Sequence, residues 1–294
     1  MSRPSVLIIG HGYIGAALGT ALHRAGHSII GVSRSHPAQK DYPLEAADVS
    51  NPDSIRELKA KMKSALPEVI VHCAASGRGG GIDSYRSVYL NGMHLLRENF
   101  PAIPVIFTSS TSVYAQTDGS VVTEDSDTTL TGETGQILLE SESVALETGG
   151  TALRLAGIYG PSRSIYLRRL LEGTAAIETG NKSRFLNQIH QADVVSAIRH
   201  VIDQGIESHS GRTYNVVDDG NLNQRSCYEQ LAAALELPLP SEASTKETPK
   251  RAWTNKAVSN AALRATGWQP QYPSLIEALK SDASLLPSIK ALLG

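Results

Sequence analysis

The residues best placed to do chemistry lie where a short apolar run meets a helical stretch. Ile8-Ile9-Gly10-His11-Gly12-Tyr13-Ile14-Gly15 is a G-x-G-x-x-G segment closing the apolar run 6–9. Gly10 allows a tight turn, Gly12 lets a phosphate approach the backbone, and Gly15 lets the following helix pack on the strand. The helix start presents free N–H groups and the positive end of its dipole. Glycine-rich turns are common. This one carries weight because strand, turn, helix and second strand follow in the required order. The chemistry implied is binding of a dinucleotide pyrophosphate along Gly10, Gly12, Tyr13, Ile14 and Gly15.

The second apolar run, 28–32, decides which dinucleotide. A site for NAD places a carboxylate at the end of this strand to bond the ribose 2′-hydroxyl. No Asp or Glu occurs from Gly10 to Lys40, and the strand runs into Ser33-Arg34-Ser35. Arginine pairs with a phosphate dianion, and the two hydroxyls can bond it. The expectation is NADP rather than NAD, against the plain alternative of a solvated arginine. Asp48, after a further short strand, has two open roles: accepting a bond from the adenine amino group, or capping the helix that begins near Pro52.

The elements that must position these groups alternate. Apolar runs at 6–9, 28–32, 68–73, 105–108, 152–155 and 213–217 are separated by helical stretches at 12–25, 52–66, 84–99 and 135–147. Asn51-Pro52 is a start signal, an N-cap followed by Pro at the first helical position. Continuous apolar strands alternating with helices predict an α/β fold with a doubly wound parallel sheet, a Rossmann arrangement. The C-terminal third is mostly helical in pattern and interrupted by prolines, which predicts a small substrate lobe. The expected boundaries are residues 1–157 for the nucleotide domain, with 188–220 returning to it, and 158–187 with 221–294 for the lobe.

Composition narrows the partners. The chain has 294 residues, 27 Lys+Arg against 29 Asp+Glu, and 41% hydrophobic residues. That supports a core and argues against nucleic acid, which requires clustered excess cations. Two cysteines make no disulfide framework, and no apolar stretch is long enough to span a bilayer. The expectation is a cytoplasmic protein with a small-molecule substrate, no membrane contact and no metal site. Cys73 reads as core, and His23 and His27 as surface groups ending the first helix. Asp193 reads as the cap of a helix at 194–202, and His190 as a weaker catalytic candidate beside it. Among the arginines near the expected lobe junction, Arg163 and Arg184 are the candidates for holding a substrate diphosphate.

The segments GHGYIG, AADVSNPDSI, VIVHCAAS, YLNGMHLLREN, VIFTSSTSVY, LRLAGIYGP, NQIHQADVVSAI and YNVVDD, in this order, resemble an extended short-chain dehydrogenase/reductase of the NAD-dependent epimerase/dehydratase family. The likeness runs from about residue 5 to 285. G-x-G in place of the usual G-x-x-G marks an atypical subgroup. The resemblance implies that Ala74 and Ala75 line the cofactor cleft, that Asn91 is a structural or relay position, and that Ser110 is the catalytic hydroxyl. It implies that residues 158–161, including Tyr159, lead into the substrate lobe. By analogy it also suggests a homodimer through the helices around 84–99 and 135–147.

One departure bears on mechanism. The family's acid/base is a Tyr followed four residues later by a Lys, which lowers the Tyr pKa. None of the 10 Tyr has that partner, and no Lys occurs between Lys63 and Lys182. By motif the pair falls on Thr131 and Gly135. Three readings stay open: proton transfer by another residue, Tyr114 or Tyr159; hydride transfer helped only by hydrogen bonds from Ser110 and Thr111; or NADP binding without catalysis. The leading expectation is an NADP-dependent oxidoreductase or epimerase-like enzyme on a small polar, possibly sugar-derived substrate, with Ser110 and Tyr114 as catalytic groups. The rival is a catalytically silent NADP-binding regulatory or partner-binding protein.

Overall fold

A computed structural model describes residues 3–35, 40–62, 65–77, 81–178, 184–243 and 254–294. Two compact units emerge. The first comprises residues 1–114, 127–154 and 195–214, the second 115–126, 155–194 and 215–294. The boundaries differ from the sequence expectation. Residues 115–126 join the second unit, and so do 188–194 and 215–220, which had been expected to return to the first.

The first unit is built on a seven-stranded parallel sheet. Its strands β1 (Val6–Ile9), β2 (Ile29–Ser33), β3 (Leu44–Ala46), β4 (Val69–His72) and β5 (Val105–Ser110) are followed in sequence by Thr151–Leu155 and Arg212–Val216. The spatial order is 212–216, 151–155, β5, β4, β1, β2, β3. β1 is central, pairing Ile9 with Val32 on one side and with His72 on the other. All four β1 residues are at most 2% exposed, which is why this run is apolar throughout and not alternating.

Helices α1 (Tyr13–Arg24) and α2 (Pro52–Met62) follow β1 and β3. Asn51 Oδ1 accepts from the N–H groups of Asp53 and Ser54 and so caps α2, as the sequence predicts. The helical segment after β4 is not uniform. Between α3 (Gly81–Arg86) and α4 (Gly92–Asn99), residues Ser87–Asn91 form a π turn, a distortion enriched at functional sites. α5 (Glu133–Glu147) starts two residues before the expected position, with Gly132 as its N-cap.

The second unit packs the helices Ile165–Leu171, Gln224–Leu235, Leu275–Ser281 and Leu285–Lys290 around a core that includes Tyr159, Leu167, Cys227, Tyr228 and Leu275. Three two-stranded parallel pairs complete it. In one, the chain at 116–122 pairs with 255–259, and two asparagines tie 255–258 to the segment 185–187. Asn187 donates to the carbonyl of Lys256 and accepts from the N–H of Val258, while Asn255 accepts from the N–H of Phe185.

Candidate functional site

The glycine turn has the geometry that a dinucleotide requires. Gly10 has φ +98°, and a Cβ there would stand 2.3 Å from the backbone nitrogen of Ala74. A Cβ at Gly15 would stand 2.0 Å from the Gly10 carbonyl oxygen. These two glycines are therefore fixed by close backbone approach. Gly12 differs: a Cβ there would meet nothing within 4 Å, so open space lies over the start of α1. Gly12 caps α1 with no side-chain acceptor for its first N–H groups. Of the neighbours, Ile14 is buried and Tyr13 half-buried, while Ala74 and Ala75 become progressively more exposed past the end of β4. A pyrophosphate fits this cradle.

At the end of β2 the Ser33 hydroxyl donates to the carbonyl of Ser35 at 2.6 Å. Arg34 is exposed and makes no ion pair among the described residues. Asp48 is half-buried, and its Oδ1 accepts from the N–H and hydroxyl of Ser50. It therefore does not cap α2, which Asn51 does; Oδ2 has no protein donor among the described residues.

The strand end at β5 corrects a second expectation. The Ser110 hydroxyl is half-buried and accepts the Ser112 N–H at 3.1 Å, shaping the turn that follows, and Thr111 is buried. Tyr114, the candidate acid/base, is fully buried. Its hydroxyl accepts from Arg154 at 2.7 Å, and the guanidinium also lies 5.1 Å from its ring centre. Arg154 forks onto Glu142, with bonds of 2.8 to 3.2 Å, and the Ser109 hydroxyl donates to the same carboxylate. Burial works against the Arg154 charge, but the bonds and charge of Glu142 outweigh it and raise the pKa. Tyr114 thus sits in a closed ionic network and is not offered to a cleft.

Thr131 and Gly135, where the Tyr and Lys would fall, interlock. A Cβ on Gly135 would stand 1.7 Å from the Thr131 hydroxyl oxygen. Asn91 lies exposed on the π turn, whose Val88 carbonyl accepts from His72 Nε2 at 3.1 Å. His72 is fully buried, and burial lowers its pKa to about 4. Cys73 is half-buried just past β4 instead of within the core, with its thiol pushed up to about 12 by burial. His27 proves to be buried, bonded to the Pro4 carbonyl and to Asp203.

In the second unit Tyr159 is 1% exposed, and its hydroxyl has no partner among the described residues. Burial and the nearby carboxylates of Asp218 and Asp193 push its pKa up, away from neutral proton transfer. His190 is also committed: Nδ1 accepts the Ala192 N–H, and Nε2 donates to Asp282 at 3.2 Å. Asp193 does more than sit at a helix start. It accepts from the N–H groups of Gln271 and Tyr272 at 2.6 and 3.0 Å, and burial pushes it up to about 6. Arg184 pairs with Glu178 at 3.0 Å, while Arg163 is exposed.

Two groups here were not singled out from sequence. Lys256 is 5% exposed, and burial lowers its amine to about 8. Asp218 is buried, and burial raises it well above the ordinary carboxylate range; it lines a cavity of about 370 Å³ together with Phe185, Asn221 and Val258. Nothing in the sequence around Lys256, which follows Thr254 and Asn255, marks its burial. Among the described residues no group of His, Cys, Asp and Glu could hold a metal ion, and no helix is long and apolar enough to cross a membrane.

Comparison with known proteins follows the same lines. Residues 6–217 match the sequence model of the NAD dependent epimerase/dehydratase family. Protein YeeZ of Escherichia coli K12 is 27% identical over 287 residues, covering 91% of this chain and 96% of its own. A solved structure from Methylobacillus flagellatus, with a provisional NAD-dependent epimerase/dehydratase assignment, is 28% identical. It superposes with a TM-score of 0.78 over 98% of this chain and 100% of its own. MoeE5, solved with UDP-glucose and NAD, is 20% identical and superposes with a TM-score of 0.79 over 99% and 100%. At that identity the likeness is one of fold.

Proposed function

The chain belongs to the NAD-dependent epimerase/dehydratase family, and from that premise we propose that it is an NADP-dependent oxidoreductase or epimerase-like enzyme acting on a small polar, sugar-derived substrate. One observation carries the cofactor half: an open glycine turn beside a second strand that ends in an exposed arginine and no carboxylate. In this reading Gly10, Gly12 and Gly15 with the start of α1 hold the pyrophosphate, and Arg34 with Ser33 and Ser35 takes the 2′-phosphate. A bound nicotinamide supplies the hydride chemistry. Ser110 and Thr111 stand at the C-terminal end of β5, the side on which parallel sheets bind ligands, and orient the substrate by hydrogen bonds. The sugar-derived class is proposed by analogy with MoeE5, whose structure holds UDP-glucose. Tyr114 takes no proton in this scheme, because its hydroxyl is bound to Arg154 inside a sealed network.

A second reading has its own observation. Thr131 and Gly135, packed against each other, stand where the resemblance puts the family's acid/base pair, which favours a protein that binds NADP without turning over a substrate. The test takes two steps. Arg34→Ala is expected to weaken NADPH binding at least tenfold while NADH binding changes less than twofold, read by fluorescence titration; equal changes would remove the NADP assignment. NADPH absorbance is then followed with a panel of nucleotide sugars and their keto derivatives. Consumption of cofactor supports the enzyme, and tight binding with no consumption supports the silent reading.

A further inference from the structure

The cavity beside Asp218 belongs wholly to the second unit, and its walls are fixed. Phe185 forms one of them. Its N–H donates to Asn255 Oδ1 at 3.0 Å, and the next N–H, of Leu186, donates to the Leu222 carbonyl at 2.7 Å. Val121 and Val258 come from the short paired strands Val121–Val122 and Ala257–Val258, and Asn187 Oδ1 holds the Val258 N–H at 2.8 Å. These three side chains make apolar walls. At about 370 Å³ the cavity has the size of a small-molecule site.

The polar groups at its edge are acceptors. Asp218 is 6% exposed. Its N–H donates to the Gln188 carbonyl at 2.8 Å, and its Oδ1 accepts from the Gly220 N–H at 3.1 Å. Oδ2 has no donor among the described residues. Asn260, which also lines the cavity, sits astride this residue. Its Nδ2 donates to the Val217 carbonyl at 2.9 Å and to Asp219 Oδ1 at 2.8 Å, the neighbours on either side of Asp218. Both partners are acceptors, so the amide orientation is settled, and Asn260 Oδ1 is left without a donor among the described residues.

The two aspartates differ in charge balance. Asp219 pairs with Arg264 at 2.5 Å. Asp218 has no such cation among the described residues. The charged groups that act on it are the carboxylates of Asp219 and Asp193, and together with burial they disfavour its ionised form. Tyr159 and Cys227, the other titratable side chains that feel its charge, are held neutral by burial.

We infer that this cavity binds a primary ammonium ion carried on a small apolar body, with Asp218 Oδ2 and Asn260 Oδ1 accepting its protons and Phe185, Val121 and Val258 enclosing the body. An ammonium has donors and no acceptor, which matches the free oxygens. It brings the countercharge that Asp218 lacks, and charge-assisted bonds are the strong ones. The Phe185 ring adds attraction for a cation. The inference goes beyond the NADP reading and does not depend on it.

The test is calorimetric titration of the full chain at neutral pH with phenethylamine. Phenethyl alcohol is the neutral isostere and phenylacetate the opposite charge. The amine is expected to bind at least about tenfold more tightly than the alcohol, and phenylacetate not to bind. Asp218→Asn is expected to erase that difference while leaving the alcohol within about twofold. Phe185→Leu is expected to weaken the amine severalfold. Binding of the amine ionises Asp218 and releases a proton, so amine titrations in two buffers of different ionisation enthalpy are expected to differ, whereas alcohol titrations are not. Should Asp218→Asn not fold, proton release by the wild type decides: its presence supports the inference and its absence overturns it. Equal affinity for amine and alcohol, an amine affinity that survives Asp218→Asn, or no binding of the amine at about 10 mM likewise overturns it. None of these outcomes touches NADPH binding, on which the nucleotide reading is tested.

Discussion

Two buried tyrosines, one in each unit, stand in opposite electrostatic situations. Tyr114 belongs to a saturated network: its hydroxyl meets Arg154, Arg154 meets Glu142, and Glu142 also receives Ser109. The buried guanidinium there has an opposite charge beside it. Tyr159 has no partner for its hydroxyl among the described residues, and the carboxyls of Asp218 and Asp193 near it are both pushed toward their neutral forms by burial. Lys256 in the same unit is likewise pushed toward neutrality. The difference is between burial offset by an opposite charge and burial that pushes hydrogen-bonded groups toward their neutral forms. Saturated networks define structure, whereas groups whose protonation is poised are the usual mark of a working site.

The largest test of this contrast is Glu142→Ala. It leaves the Arg154 guanidinium buried without its countercharge and is expected to cost about 3–5 kcal/mol, read by urea unfolding. A loss below about 1 kcal/mol would show that the network is not sealed.

Lys256→Met is expected to act in the opposite direction. A shift from 10.5 to about 8 corresponds to about 3 kcal/mol against the charged form. Between those values the unfolded chain binds more protons than the folded one, so wild-type stability rises with pH across that window. The variant should be more stable at pH 7, and its advantage should vanish by about pH 10.5. A variant less stable at pH 7 would mean that the amine's bonds, the one to Thr254 among them, outweigh the cost of burying it.

The tyrosines themselves give the smaller effects. Tyr114→Phe removes an acceptor from a buried arginine and should cost about 1–2 kcal/mol. Tyr159→Phe removes a hydroxyl that bonds nothing, so its stability should stay within about 0.5 kcal/mol of wild type or rise. Equal losses for the two would erase the distinction between the units.

Much of the first unit was legible in the sequence because its signals are local. The apolar runs, the Asn51-Pro52 start and the spacing of Gly10, Gly12 and Gly15 each act within a few residues, and each lies where its chemistry requires. The long-range partners were not legible. Tyr114 and Arg154 are 40 residues apart, and nothing near Tyr114 in sequence announces that its hydroxyl is taken. Asp193 reads as a local cap because its neighbours form a helix, yet its acceptors serve a loop 78 and 79 residues on. The side-chain bonds between 185–187 and 255–258 explain why Asn187 and Asn255 are asparagines, but amide pairing across such distances leaves no periodic trace.

The contact between Thr131 and Gly135 has a consequence for how this sequence can change. Because a Cβ at position 135 would collide with the Thr131 hydroxyl, position 135 cannot gain a side chain while Thr131 keeps its place. A lysine entering at 135 first would meet the threonine head-on, and only after Thr131 has given way does a side chain there find room. The route from this chain to one with the family's acid/base pair is therefore ordered, with position 131 as its first step.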